Sequence, residues 1–407
     1  MKKHLTAFAL SIVCASAMVS CGSDSDDSSV NSVKENTSAV TTSTVSSSRT
    51  TTVTTAEAEP TTEEPTEPPS ISDYVSIYKN RLSGSSTHYA YIDNRGCLYT
   101  WGGNLYGQLG NNNNDDQKEP IKVMDSVVSV SLGSGYSAVI KRDGGLYTWG
   151  CKDWGKLGDG TNETLWTPVK ILDNVASVSL GNNHSAAITN DGSLYTWGNN
   201  RFGQLGNGTT EDSSVPVKVM DNVVSVSLGV DFSAAITNDG SLYTWGECFY
   251  GKLGSGATKN TLVPVKIMDN VVSVSLGYNH SAAITSDGSL YTWGQNSSGE
   301  LGSGGKTSDV PIKIMDNVAA VSLGTKFSAA ITNDGSLYTW GYNTCGELGN
   351  GTRENCSVPV KIMDNIVAVS LGNSGGVAID TDGILYTWVG AVDPFISVTP
   401  TILNIPK

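Results

Sequence analysis

Positive charge is scarce in this chain. Among 407 residues, 25 Lys and Arg stand against 39 Asp and Glu. Residues 71–407 alone carry a net charge of −9 and residues 22–70 a further −7. Nucleic-acid surfaces need clustered Lys and Arg, so no nucleic-acid partner is expected, nor any attraction to anionic lipid. Long apolar runs are also missing. The one at residues 5–13 is too short to span a bilayer. Cysteines are few and scattered, without C-x-x-C spacing, so no zinc site is expected. Helical periodicity is lacking too: no stretch of the repeated unit described below shows an i, i+3, i+4, i+7 apolar stripe with caps.

What is present is repetition. Asp191-Gly192-Ser193-Leu194-Tyr195-Thr196-Trp197-Gly198 has close copies ending at Trp101, Trp149, Trp197, Trp245, Trp293, Trp340 and Trp388. Spacings of 48, 48, 48, 48, 47 and 48 residues make one unit used seven times. Such a period points to an array whose units cannot fold alone. In the unit 168–209, the segments 169–173, 177–180, 185–189 and 194–197 read as four short strands, with Asn190-Asp191-Gly192 as a hairpin turn. Four strands per unit, with periodic Gly and Trp, predict the blade of a β-propeller. The fold class expected is all-β: seven four-stranded blades of about 51° each around one axis. Small residues (Ser177, Ser179, Ala186, Ala187) suit the crowded centre. Ile171, Leu172, Tyr195 and Trp197 suit the wider outside.

After each Trp-Gly comes a loop with a fixed frame: Asn200-Arg201-Phe202-Gly203-Gln204-Leu205-Gly206, with relatives at 104–110 and 343–349. Its Leu is expected to plug the loop into the blade. Together with Gly-x-x-His-Ser at 181–185 and the Asp-Gly-x-Leu-Tyr-x-Trp-Gly motif, this frame resembles the repeat of the regulator of chromosome condensation family. The resemblance covers residues 73–407 and implies a seven-bladed propeller. The family's guanine-nucleotide exchange on a nuclear GTPase is not expected to transfer, because an exported, acidic chain meets neither that GTPase nor chromatin.

The chain begins with an export signal, residues 1–20: Lys2 and Lys3, the apolar run, then small residues. Met18-Val19-Ser20-Cys21 resembles a bacterial lipobox, in which Cys21 is lipidated, anchoring the exported protein to the outer face of the membrane; Ala15-Ser16-Ala17 offers plain secretion instead. Residues 22–70 form a disordered Ser/Thr/Pro/Glu-rich linker without Leu, Ile, Met or aromatics, which as a coil spans on the order of 40 Å. Residues 71–407 are the propeller. Its first and last units are worn, as expected where the ring closes. Whether residues 70–77 lend a strand to the last blade is open, and so is pairing between Cys345 and Cys356.

Seven residues before each turn Asp stand His88, Tyr136, His184, Phe232, His280, Phe327 and Gly375. Since Phe and Tyr replace His there, the position reads as structural, with His bonded to nearby backbone. Gly302–Thr307 imitates a phosphate loop, but Glu300 takes the place of its first Gly and strands flank it. No nucleophile–base or paired-carboxylate arrangement separates from the repeat, so no catalytic residue, metal or cofactor is expected. The aromatic before the loop glycine is Tyr106, Trp154, Phe202 and Tyr250 in four consecutive units. With Trp166 in a variable loop, these form the candidate binding rim, although packing beneath the loop is the plainer role. The expected function is that of a monomeric, non-catalytic cell-surface propeller presenting rim loops to a protein or cell-wall ligand. The alternatives are a secreted inhibitor of an extracellular enzyme and, further off, nucleotide exchange or a propeller hydrolase.

Overall fold

The computed structural model describes residues 70–78, 80–161, 163–389 and 397–404. The signal, Cys21 and the linker up to residue 69 lie outside the described residues.

Seven four-stranded antiparallel sheets follow one another along the chain: residues 82–124, 127–172, 175–220, 223–268, 271–315, 318–363 and 366–402, here blades 1 to 7. Blade 3 is typical. Val175–Leu180 is innermost, then His184–Thr189, Leu194–Gly198 and, outermost, Ser213–Met220. The second strand is covered on both faces, which explains its Ser-Ala-Ala composition. The turn Asp191 accepts the Ser193 N–H at 3.1 Å, so this recurring Asp does turn chemistry. One sequence expectation needs correcting. The segment 169–173, taken as the first strand of its unit, belongs to Leu165–Leu172, the outer strand of the preceding blade. Blades 2 to 5 begin at Val-x-Ser-Val-Ser-Leu instead, and blades 6 and 7 at the variants Val318-Ala-Ala-Val-Ser-Leu and Ile366-Val-Ala-Val-Ser-Leu.

That motif builds the hub. Its second serine accepts a backbone N–H from the next blade: Leu132 to Ser83 at 3.1 Å, Leu180 to Ser131 at 3.0 Å, Leu228 to Ser179 at 3.1 Å. The series continues through Leu276 to Ser227, Leu323 to Ser275 and Leu371 to Ser322. Gly84 to Ser370, at 2.8 Å, closes the circle. Further out, each repeat Trp from Trp149 onward staples its blade to the one before. Trp197 Nε1 donates to the Lys156 carbonyl at 3.0 Å, and Ser185 Oγ donates to the same oxygen at 2.7 Å. The loop glycine two residues after that carbonyl lies flat on the indole. A Cβ on Gly206 (φ +76°) would sit 2.6 Å from Trp245 Nε1. The loop Leu is fully buried, as expected.

The ring closes without strand exchange, since blades 1 and 7 each use consecutive strands. The seam is packed by what reads as wear in the sequence. Tyr89 and Tyr91 replace the Ser and Ala of other blades, and Tyr89 stacks on Trp101 with centroids 5.8 Å apart. Residues 70–77 do not form a strand, contrary to one option. Ile71–Tyr78 is a helix, α1, whose Ser70 and Asp73 cap each other reciprocally (Ser70 N to Asp73 Oδ2 3.0 Å, Asp73 N to Ser70 Oγ 3.3 Å). Ile71 reaches the Gly335 turn of blade 6, while Tyr78 joins the seam cluster with Val367 and Ala368. The five described cysteines are all free thiols, Cys345 and Cys356 included.

A candidate binding face

Antiparallel order puts the loops joining first to second and third to fourth strands on one end of the ring, the loop face. The tight turns and α1 occupy the other end, the turn face. The long loop of blade 3 is organised by Asn200. Its Oδ1 accepts the Leu205 N–H at 3.0 Å, while its Nδ2 fans onto the carbonyls of Thr209 and Glu211 at 3.1 and 3.0 Å. Gln204 Oε1 then accepts the Phe202 N–H at 2.9 Å. Gln108, Glu300 and Glu347 do the same for Tyr106, Ser298 and Cys345.

Blades 2 and 4 break this frame. Lys152 and Cys248 replace the Asn, and Lys156 and Lys252 replace the Gln. A lysine cannot accept the N–H two residues back. There the loop forms a single 3₁₀ turn, with Trp154 and Tyr250 in the left-handed region at φ +65° and +61°. For aromatic residues this costs about 1–2 kcal/mol each. The lysines turn inward. Lys156 Nζ donates to the Ser134 carbonyl at 3.0 Å above the Tyr136 ring, and Lys252 Nζ to the Val230 carbonyl at 3.0 Å above Phe232. Burial pushes both ammonium groups below the usual lysine range, an effect that Glu247, hydrogen-bonded to Lys252, opposes at the second site.

Packing beneath the loop, the plainer role for the rim aromatics, does not describe Trp154 and Tyr250. They are 54% and 56% exposed, and Tyr106 is 44% exposed. Phe202 is half-buried beneath the Arg201 guanidinium. Trp166 lies on the outer strand of blade 2 against Gly107, so it joins the Tyr106 loop, whereas Trp154, Phe202 and Tyr250 each stand on their own blade. A groove of about 450 Å³ beside Trp154 is lined by Gly155, Gly160, Thr161, Asp212 and Ser214.

Sequence reasoning missed Leu105 and Phe249, both exposed next to rim aromatics. The signal was there: the same frame position is Asp153, Arg201, Ser297 or Thr344 elsewhere. It also missed a charged cluster in blade 4, where Asp231, Glu247 and Lys252 meet beside Asn279 of blade 5. The histidine position is structural, with one correction. His88, His184 and His280 bond through Nε2 to the hydroxyls of Ser137, Ser233 and Ser328 in the next blade, and only His280 also meets a backbone group, that of Phe327. Burial lowers each to about 3. Among the described residues no three His, Cys, Asp or Glu side chains gather as a metal site needs, and no helix there is long and apolar enough to cross a membrane.

The RCC1-like domain pattern matches residues 7–317, and two regulator of chromosome condensation (RCC1) repeat patterns match residues 334–379 and 318–347. No curated protein matches the chain. Among solved structures the ring is similar to human WBSCR16, at 25% identity and TM-score 0.67 over 73% of this chain and 85% of that one. It is also similar to Prp20p of Saccharomyces cerevisiae, described with its binding to Gsp1p and histones, at 23% identity and TM-score 0.70 over 81% and 89%. The same yeast protein bound to Kap60 gives 22% identity and TM-score 0.69 over 87% and 91%. The likeness to the yeast protein carries the fold.

Proposed function

The chain belongs to the RCC1-like domain family, and from that premise we propose that it is a non-catalytic binding propeller, exported and lipid-anchored at Cys21, whose loop face holds a protein partner. The observation behind this reading is the strain at Trp154 and Tyr250. Two large aromatics stand exposed in an unfavourable backbone conformation. Backbone strain of this kind concentrates at binding and switching sites. Exposed rigid aromatics are also the side chains that dominate interface energetics. Prp20p, a ring of the same build, is described as binding Gsp1p, histones and Kap60, which favours a protein over a wall polymer.

A photo-crosslinking side chain at position 154 or 250 of the full-length, surface-displayed chain tests the proposal, with position 287 on the turn face as control. Discrete protein adducts from the loop face alone are expected. Equal labelling from both faces, or adducts only to wall polymer, would overturn it.

A further inference from the structure

The buried lysines of blades 2 and 4 stand at equivalent positions, and each has an asparagine at the equivalent position of the following blade. Lys252 meets Asn279 of blade 5 across a separation of 27 residues, and Asn183 of blade 3 stands at the same separation from Lys156. The two junctions differ in their acids. Glu247 and Asp231 belong to the first, where the second has Cys151 and Gly135.

Lys252 is fully buried, its Nζ 4.8 Å from the centre of the Phe232 ring. That nitrogen donates to the Val230 carbonyl at 3.0 Å and to the Glu247 carboxylate. Asn279 Oδ1 lies 3.4 Å from the same nitrogen, and the amide carbon is one bond, about 1.2 Å, beyond that oxygen. Asn279 Nδ2 donates to Gln295 Oε1 at 2.9 Å, which holds the amide with its oxygen toward the lysine. An amine, an amide carbon and a carboxylate thus converge at the joint of two rigid sheets. Groups fixed in this way react as though at very high concentration. Burial holds the Lys252 ammonium below the usual lysine range, which favours the neutral, nucleophilic amine. Glu247 touches the nitrogen whose protons must leave, as a general base must. At the blade 2–3 junction, Lys156 Nζ donates to the Ser134 carbonyl, and among the described residues no carboxylate bonds to it.

We propose that Lys252 and Asn279 join in an intramolecular isopeptide bond, a covalent strap between blades 4 and 5, with Glu247 as its proton carrier. Glu247 takes one proton from the Lys252 ammonium, and the freed Nζ lone pair attacks Asn279 Cγ to form the new C–N bond. The Cγ–Nδ2 bond then breaks. Glu247 returns its proton to Nδ2, Nζ gives up a second one, and the nitrogen leaves as ammonium with the lysine's charge. No oxidant or further reactant enters. The bond would fix the strained loop that displays Tyr250, two residues before Lys252. The test is a tryptic digest of the full-length chain, incubated until its mass is constant and read by tandem mass spectrometry. Trypsin does not cut after an acylated lysine. A branched product is therefore expected, residues 219–259 joined through Lys252 to Asn279 in residues 267–306, lighter than the sum of its parts by one ammonia. The branch separates this product from ring closure at Asn207-Gly208, which also expels ammonia. Asn279→Asp should form the same bond with loss of water instead. Glu247→Gln should lose the branch while keeping a cooperative melting transition, and Lys156 should appear only in linear peptides. Linear peptides ending at Lys252, recovered in full from the incubated wild-type chain, would overturn the strap. A branch that survives Glu247→Gln, or one joining Lys156 to Asn183, would overturn the role of the acid.

Discussion

At the scale of single residues, three histidines write a pH dependence into the ring. Each is buried neutral with its pKa lowered to about 3, against 6.5 in the open chain. Between those values the unfolded chain binds more protons, so stability is whole above about pH 6.5 and drains away as pH falls toward 3. The combined slope is at most about 4 kcal/mol per pH unit. Phe232 and Phe327 show which side chain removes it. His184→Phe should flatten the slope of melting temperature against pH by about a third between pH 4 and 6, and an unchanged slope would mean that His184 is already solvated. The lysines give a second prediction. Lys152→Asn with Lys156→Gln installs the blade 3 frame, so Trp154 should return to negative φ and the ring should gain about 1–2 kcal/mol. Crosslinking from position 154 should fall at the same time. A crystal structure of the double variant with Trp154 still left-handed would separate strain from the lysine. The sequence displayed the Lys-for-Gln exchange openly. Its effect on Trp154 stayed hidden because it depends on which atom accepts one N–H.

At the scale of the element, the loop and the next blade's tryptophan form one joint, and two glycines two residues apart calibrate it. Gly254 (φ +71°) lies on Trp293, a Cβ there falling 2.6 Å from Nε1, while Gly256 (φ +66°) has open space around it. Gly256→Ala should cost about 1–2 kcal/mol from backbone strain alone. Gly254→Ala adds a clash with a fully buried indole and should cost clearly more; equal denaturation midpoints would show that the joint is loose. The strands and hairpin turns of this unit were legible, because alternation and Asn-Asp-Gly speak locally. The blade boundary was not. Whether Val-Lys-Ile-Leu pairs forward or backward depends on a neighbouring strand, not on its own pattern. Helix α1 left a mark in Pro68-Pro69-Ser70 followed by Asp73, a capping signal, but eight residues are too few for periodicity to declare a helix.

At the scale of the molecule, the seven-fold count and the fold followed from period alone, while the seam followed from nothing repetitive. A chain starting at Asn80 should melt below one starting at Ser70, since removing α1 uncovers Val367 and Tyr78 leaves the seam cluster. Identical melting would assign closure wholly to the serine hub. The anchor has its own test: Cys21→Ser should move the protein out of the membrane fraction, and retention there would end the lipoprotein reading. The candidate rim was legible as an arc of aromatics. The charged cluster of blade 4 was obscured because Asp231 and Glu247 are sixteen positions apart in the chain and become neighbours only through the antiparallel sheet.

The placement of α1 bears on what happens when the linker is tugged. Traction arriving at Ser70 would enter through a helix seated on blade 6 and wedged by Tyr78 where blades 7 and 1 meet. A pulling force would thus be shared by three sheets at the joint that lacks an exchanged strand, instead of unzipping the first hairpin, as it would if the thread ran straight into Leu82.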